Sequence, residues 1–280
     1  MSGAGGRRIG LALGGGGARG LAHLHVLAAF DDLGVRPAAI AGASIGALYG
    51  AGFAAGLPAA ELRSHTERVL GDRAAVLAKL VRARVGRISD LFGAGSRNPV
   101  LLDPEALVAA FLPAEVPAAI EALPIPFVAI ATDFFARAEI AYRSGPLVPA
   151  IAASAAIPGL FRPVLHDGRT LIDGAMTNPL PFDVFGDEVD AVLAVDVTGA
   201  PVTSSRAYPN AFETMLGATQ IMQATIVAAK LARRPPDAVV APRVAGVTLL
   251  DFFKSGAALR ASAEARDEAK RAIERLMEAR

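Results

Sequence analysis

The chain has 280 residues, 53% of them hydrophobic and 20% charged, with a formal net charge of +1. That length buries a substantial core in one large α/β domain or two small ones, and one is the default. Near-neutral charge gives no broad field for a nucleic-acid backbone, the absence of cysteine removes disulfide and thiolate chemistry, and four scattered histidines lack metal-ligand spacing.

In chain order, residues 1–8 read as a disordered N-terminus and residues 9–280 as a single domain. Arg7-Arg8 before Ile9–Leu13 imitates a signal peptide, but four glycines, Arg19 and His23 interrupt it, so a cytoplasmic chain is expected. Ile9–Leu13 predicts a buried strand. Gly14-Gly15-Gly16-Gly17-Ala18-Arg19-Gly20 then leads into a helical pattern of Leu21, Leu24, Leu27 and Phe30 that Gly34 can end. A strand, a glycine loop and a helix N-terminus make an anion site, because unobstructed N–H groups converge where the helix dipole is positive. Gly15-x-Gly17-x-x-Gly20 fits the dinucleotide fingerprint, yet Ile40-Ala41-Gly42 lacks the acidic residue that would bind the ribose. A P-loop needs Gly-Lys-Ser/Thr, whereas Leu21 and Ala22 follow Gly20. An oxyanion hole is favoured, since a serine lies one helix and one strand further on.

That serine sits in Gly42-Ala43-Ser44-Ile45-Gly46, between a short apolar strand and a small-residue helix. Such a nucleophile elbow needs glycine where a tight strand-to-helix turn brings chain close. The uncharged run from Pro37 to Ala60 could cross a bilayer by length, but its prolines, Ser44 and glycines favour a buried strand-turn-helix. Gly56-Leu57-Pro58 breaks the chain, and a charged helical region with Arg63, Arg68, Lys79, Arg82 and Arg87 follows. Segment 63–87 suggests a membrane contact or lid, but its imperfect amphipathicity favours a solvated face.

Asp103-Pro104 starts a helix that runs to Phe111, and strands are expected over Ile125–Thr132 and Glu139–Tyr142. Pro149–Pro158, containing Ser154, reads as a helix packed on the sheet. Val164–His166 and Arg169–Ile172 flank Asp167-Gly168 as a hairpin that delivers Asp173-Gly174-Ala175 at its end. A strand over Ala191–Val197, a mobile loop over Pro201–Asn210, a helix over Ala211–Ala232, a short strand at Val239-Val240 and a solvent-facing terminal helix from Ser255 complete the chain, so residues 211–280 are mainly helical.

A serine hydroxyl needs a base. Ser44, Asp133 and His166 stand in the α/β-hydrolase order, but no histidine follows His166, which sits beside a hairpin turn. Asp173, at a strand end before glycine, permits a Ser/Asp dyad, provided the site raises its proton affinity or strongly stabilises the oxyanion. Taken together, Gly15-Gly16-Gly17-Ala18-Arg19-Gly20, Gly42-Ala43-Ser44-Ile45-Gly46 and Asp173-Gly174-Ala175 resemble the three motifs of the bacterial patatin-like phospholipases. Ala153–Phe161 and Asn178-Pro179-Leu180-Pro181 resemble stretches flanking the family's aspartate, and the likeness covers roughly residues 9–200. It implies a three-layer α/β/α fold with a mostly parallel sheet and ester hydrolysis by Ser44 and Asp173 without histidine. Donors from Gly15, Gly16 and Gly17, with Arg19 nearby, would form the oxyanion hole, with Gly42 and Gly46 flanking the elbow. No metal or organic cofactor is implied; the partner is a phospholipid or lysophospholipid, met by peripheral membrane contact. Ala43 and Gly14 stand where many members have threonine and serine. A non-lipid carboxylesterase and a nucleotide-binding protein using the glycine loop are the alternatives.

Overall fold

The computed structural model describes residues 7–72, 84–85, 101–199, 208–244 and 246–279. The apolar runs become the middle of a sheet. β1 (Ile9–Leu13) and β2 (Ala39–Ala43) are buried at every position and pair in parallel. On the far side of β1 come β9 (Ala191–Val195) and β10 (Ala238–Val240), also parallel, while β2 pairs in parallel with β5 (Phe127–Asp133). Beyond β5 the sheet turns antiparallel, through β6 (Ala138–Tyr142), β8 (Arg169–Asp173) and β7 (Val164–His166). Strands buried on both faces read as continuous apolar runs, which is why periodicity alone did not separate the two faces.

Both faces are covered. On one side α1 (His23–Leu33), α2 (Ile45–Ala54), α5 (Leu147–Ser154) and the C-terminal α8 (Ala265–Glu278) pack on Leu11, Leu13, Ile40, Ala129 and Leu193. On the other, Leu180, Phe182 and Phe185 and the long α6 (Ala211–Arg233) lie over Ala12, Ala41, Ala43 and Ala194, small residues that let these rings approach the sheet. The remaining described helices are α3 (Ala59–Gly71), α4 (Pro104–Phe111) and α7 (Ser255–Ala261).

The run from Pro37 to Ala60 folds as strand, elbow and helix, and among the described residues no helix is long and apolar enough to cross a membrane. Asp103 caps α4 through the Glu105 N–H, and Gly34 ends α1 in the left-handed region at φ 65°. Asp167 and Gly168 adopt φ 50° and 71°, the mirror-image turn that matches strand twist. Arg7 and Arg8 depart from the expected disordered start: Arg8 forms a bidentate pair with Asp190, and its carbonyl accepts from the Asp190 N–H. Of segment 63–87, residues to 72 are described, as is β3 (Arg84–Val85), which pairs antiparallel with β4 (Leu101–Leu102) apart from the main sheet. There α3 is an ordinary solvated helix, with Leu62, Thr66 and Leu70 inward and Arg63 paired to Glu67 outside. Most of the expected loop over 201–210 lies outside the described residues.

The register on β5 decides where the loops meet. Its residues Ala129–Asp133 pair with β6 along one edge, which leaves the other edge for both β2 (through Ile130) and β8 (from Ala131). The parallel β2 and the antiparallel β8 therefore run head to head along the same edge. Their ends are Ala43, followed by Ser44, and Asp173.

Candidate active site

Ser44 joins β2 to α2 at φ 54° and ψ −123°, a region costly for a residue with a side chain. The flanking glycines explain how the turn closes. A Cβ on Gly42 would lie 2.5 Å from the Ala47 nitrogen, and one on Gly46 would overlap the Leu13 carbonyl, 2.6 Å from its carbon. The Ser44 N–H donates to the Ser154 Oγ at 2.8 Å, so a buried hydroxyl from α5 satisfies a backbone donor of the strained turn.

The hydroxyl of Ser44, 5% exposed, donates to Asp173 Oδ2 at 2.8 Å. Asp173 is 2% exposed, and its other oxygen accepts the Ala175 N–H at 2.8 Å. Burial pushes its carboxyl up to about 7, opposed by the bonds from Ala175 and Ser44. Gly174 is required because a Cβ there would overlap the Ile130 carbonyl where the chain leaves the β5 edge. Thr132 braces the aspartate from β5: its hydroxyl donates to the Asp173 carbonyl at 3.0 Å and meets the Thr177 hydroxyl at 2.8 Å.

The glycine loop closes the third side. A Cβ on Gly15 would lie 2.8 Å from the Ala175 Cβ and 3.4 Å from the Ser44 Cβ, so all three motifs are in contact. Two expectations for this loop need correction. The Gly15 N–H donates to the Pro179 carbonyl at 2.9 Å and is engaged, as the Gly14 N–H is by Val195 at 3.0 Å. Arg19 is buried with its guanidinium drawn toward the C-terminal part of the chain, donating to the carbonyls of Val247 and Thr198 and to Gln220 Oε1. It braces the loop there. Among the described residues no hydrogen bond engages the N–H groups of Gly16 and Gly17, and Gly17, at φ 57°, borders the same cavity as Ser44. His23 ties the loop from below through Nε2 and the Gly14 carbonyl at 2.9 Å, and burial lowers its pKa to about 4, which keeps it neutral.

Ser44 opens into a cavity of about 210 Å³ lined mainly by carbon, from Ile45 and Leu48 on α2, Val108 and Phe111 on α4, and Ile157 and Leu160. The alternative triad is not assembled. His166 sits at the turn end of its hairpin, opposite Arg169 and against the Tyr142 ring, while Asp133 accepts the N–H groups of Phe135 and Ala136 as a turn cap. Ser154, Thr132 and the Pro179 carbonyl were not foreseen as parts of the site. A lone serine in an all-apolar buried helix was the available signal for the first.

A sequence model of the family described as patatin-like phospholipase matches residues 11–185. An uncharacterized NTE family protein of Mycobacterium tuberculosis is 38% identical over 207 residues, covering 72% of this chain and 53% of that one. A second from the same organism is 29% identical over 286 residues, 91% of this chain and 45% of that one. The chain thus spans about half the length of these relatives. Patatin-like phospholipase domain-containing protein 7 of Rattus norvegicus is 31% identical over 214 residues, 74% of this chain and 15% of that one. With the family match spanning more than half of the sequence, the chain belongs to the patatin-like phospholipases.

Proposed function

We propose that this chain is a serine lipid acyl hydrolase of phospholipase A or lysophospholipase type, working through Ser44 and Asp173. The observation that carries the reading is the 2.8 Å bond from the Ser44 hydroxyl to a buried carboxylate whose proton affinity is raised to about 7. An ordinary aspartate is too weak a base for a serine, and one titrating near neutrality is matched to the task. Ser44 Oγ attacks the ester carbonyl while its proton passes to Asp173. The N–H groups of Gly16 and Gly17 receive the tetrahedral oxyanion. Collapse expels the alcohol, which takes the proton from Asp173 and leaves acyl-Ser44. Asp173 then deprotonates a water that attacks the acyl group, and the proton returns to Ser44 as the fatty acid departs. The carbon-lined cavity beside Ser44 suits an acyl chain.

An active-site-directed organophosphonate followed by peptide mass spectrometry tests this. A stoichiometric adduct on Ser44, lost in Ser44→Ala and strongly slowed in Asp173→Asn but unaffected by His166→Ala, is the expected result. Labelling that depends on His166 would mean a histidine base. Turnover of short soluble esters with no gain from micellar presentation would favour a non-lipid carboxylesterase.

A further inference from the structure

Helix α6 is turned inside out. Its buried positions are Leu216, Gln220, Gln223 and Val227, and Lys230 points inward with them. The polar members hold the body of the protein: Gln220 Oε1 accepts from Arg19, and Lys230 Nζ donates to Asn178 Oδ1, the Leu180 carbonyl and Asp183. The outer face is uncharged between Glu213 and Lys230, and Arg233 in the last turn is exposed. From Thr214 to Ala229 no charged residue occurs, although one residue in five of the chain is charged. Ile221 and Met222 are 59% and 56% exposed, with Phe212 and Met215 also exposed on the N-terminal turns. Thr214 and Thr225, exposed on this face, each donate the hydroxyl proton to the helix carbonyl four residues back. A water-facing helix carries its polar residues outward and its apolar stripe inward, whereas α6 turns Gln220 and Gln223 inward and leaves Ile221 and Met222 outside.

The N-terminal part of this face reaches the chain segment that lines the cavity. Met215 packs on Gly159, its Sδ 3.2 Å from where a Cβ would stand, and the neighbours Ile157 and Leu160 line the cavity that holds Ser44. We propose that the outer face of α6 docks on a lipid surface, laying Met215, Ile221 and Met222 into the boundary between headgroups and acyl chains and bringing the cavity beside Ser44 to the lipid. The proximity of Met215 to the cavity-lining segment and the absence of charge between Glu213 and Lys230 both fit a lipid occupant. Between Glu213 and Lys230 the strip offers no charge to a protein partner, and an uncharged strip with exposed Ile221 and Met222 suits the acyl boundary of a neutral bilayer. The orientation rests on the reading of the cavity as an acyl site; the docking does not require turnover.

The test uses the full chain carrying Ser44→Ala, so binding is measured without hydrolysis. The chain has no tryptophan, so Met222→Trp supplies a single emitter. Phosphatidylcholine vesicles are expected to shift its emission to the blue and brominated lipid to quench it, while Val239→Trp on the β10 edge stays unshifted. Partition in flotation should weaken about tenfold in Ile221→Lys/Met222→Glu and change less than about twofold when salt is raised tenfold. Absence of partition, or partition untouched by the double variant, overturns the proposal. Binding that needs anionic lipid and falls with salt overturns it in favour of the basic stretch after α3. A halving of mass by light scattering in the double variant overturns it in favour of a second copy of the chain. Vesicle binding without organophosphonate labelling of the native chain would leave docking standing and remove the hydrolase reading.

Discussion

Asp173→Asn should make the protein more stable as the pH rises while destroying its activity. The carboxyl sits at 3.8 in the unfolded chain and at about 7 in the fold, where burial opposes its charge. A raised carboxyl favours folding of the protonated form, so that contribution is complete below about pH 3.8, declines as the unfolded chain ionises, and is gone above about pH 7. At about 1.4 kcal/mol per pH unit of displacement, the native protein has lost about 2 kcal/mol at pH 5 and about 4 kcal/mol at pH 8. An amide does not titrate, so the variant escapes the loss. Any change in hydrogen bonding to Ser44 and Ala175 adds a constant, and the growth of the difference with pH isolates the carboxyl. Thermal melts of both proteins at pH 5 and pH 8 read it: the variant's advantage in Tm should grow by roughly 4–8 °C between them, at about 2–4 °C per kcal/mol for a chain of this size. An advantage that stays level across this range would show that Asp173 ionises in the fold as easily as outside it, and would remove the physical basis for its role as base.

The same carboxyl sets the rate profile, because only its ionised form accepts the Ser44 proton: kcat/KM for a chromogenic ester should rise about tenfold per pH unit below about 7 and level off above, and a flat profile from pH 5.5 to 8.5 would contradict the assignment. Ser154→Ala leaves the Ser44 N–H buried and unpaired, so a loss of about 1–3 kcal/mol in stability is expected, with kcat falling more than KM changes; an unaltered kcat would make Ser154 a packing residue only. Gly46→Ala drives a methyl into the Leu13 carbonyl, backbone against backbone, and should cost about 3 kcal/mol or more or prevent folding. A soluble Gly46→Ala protein with unchanged Tm would refute the elbow geometry.

Features fixed by a few adjacent residues were legible without the fold. Gly42 before Ser44, the Asp167-Gly168 turn and the Asp103 cap of α4 each answer a steric or hydrogen-bonding demand that acts within five residues, whereas Gly46 answers to the Leu13 carbonyl on β1 and was legible only as part of the motif. A local pattern is therefore enough to name them. The meeting of Ser44 with Asp173, 129 residues apart, could be expected from the likeness of three motifs to a family, but its cause is the shared edge of β5, which no single segment contains. Tertiary contacts alone decided which loop donors stay open. The Gly15 N–H is taken by Pro179, and Arg19 reaches Val247, 228 residues away, so both leave the roles their sequence position suggested. Helix α6 makes the same point on the surface, for its period marks a helix but not which face is outward. Arg19, Asn178 and Asp183 draw its glutamine and lysine inward, because a buried polar group must find a partner, and the apolar side chains are left outside.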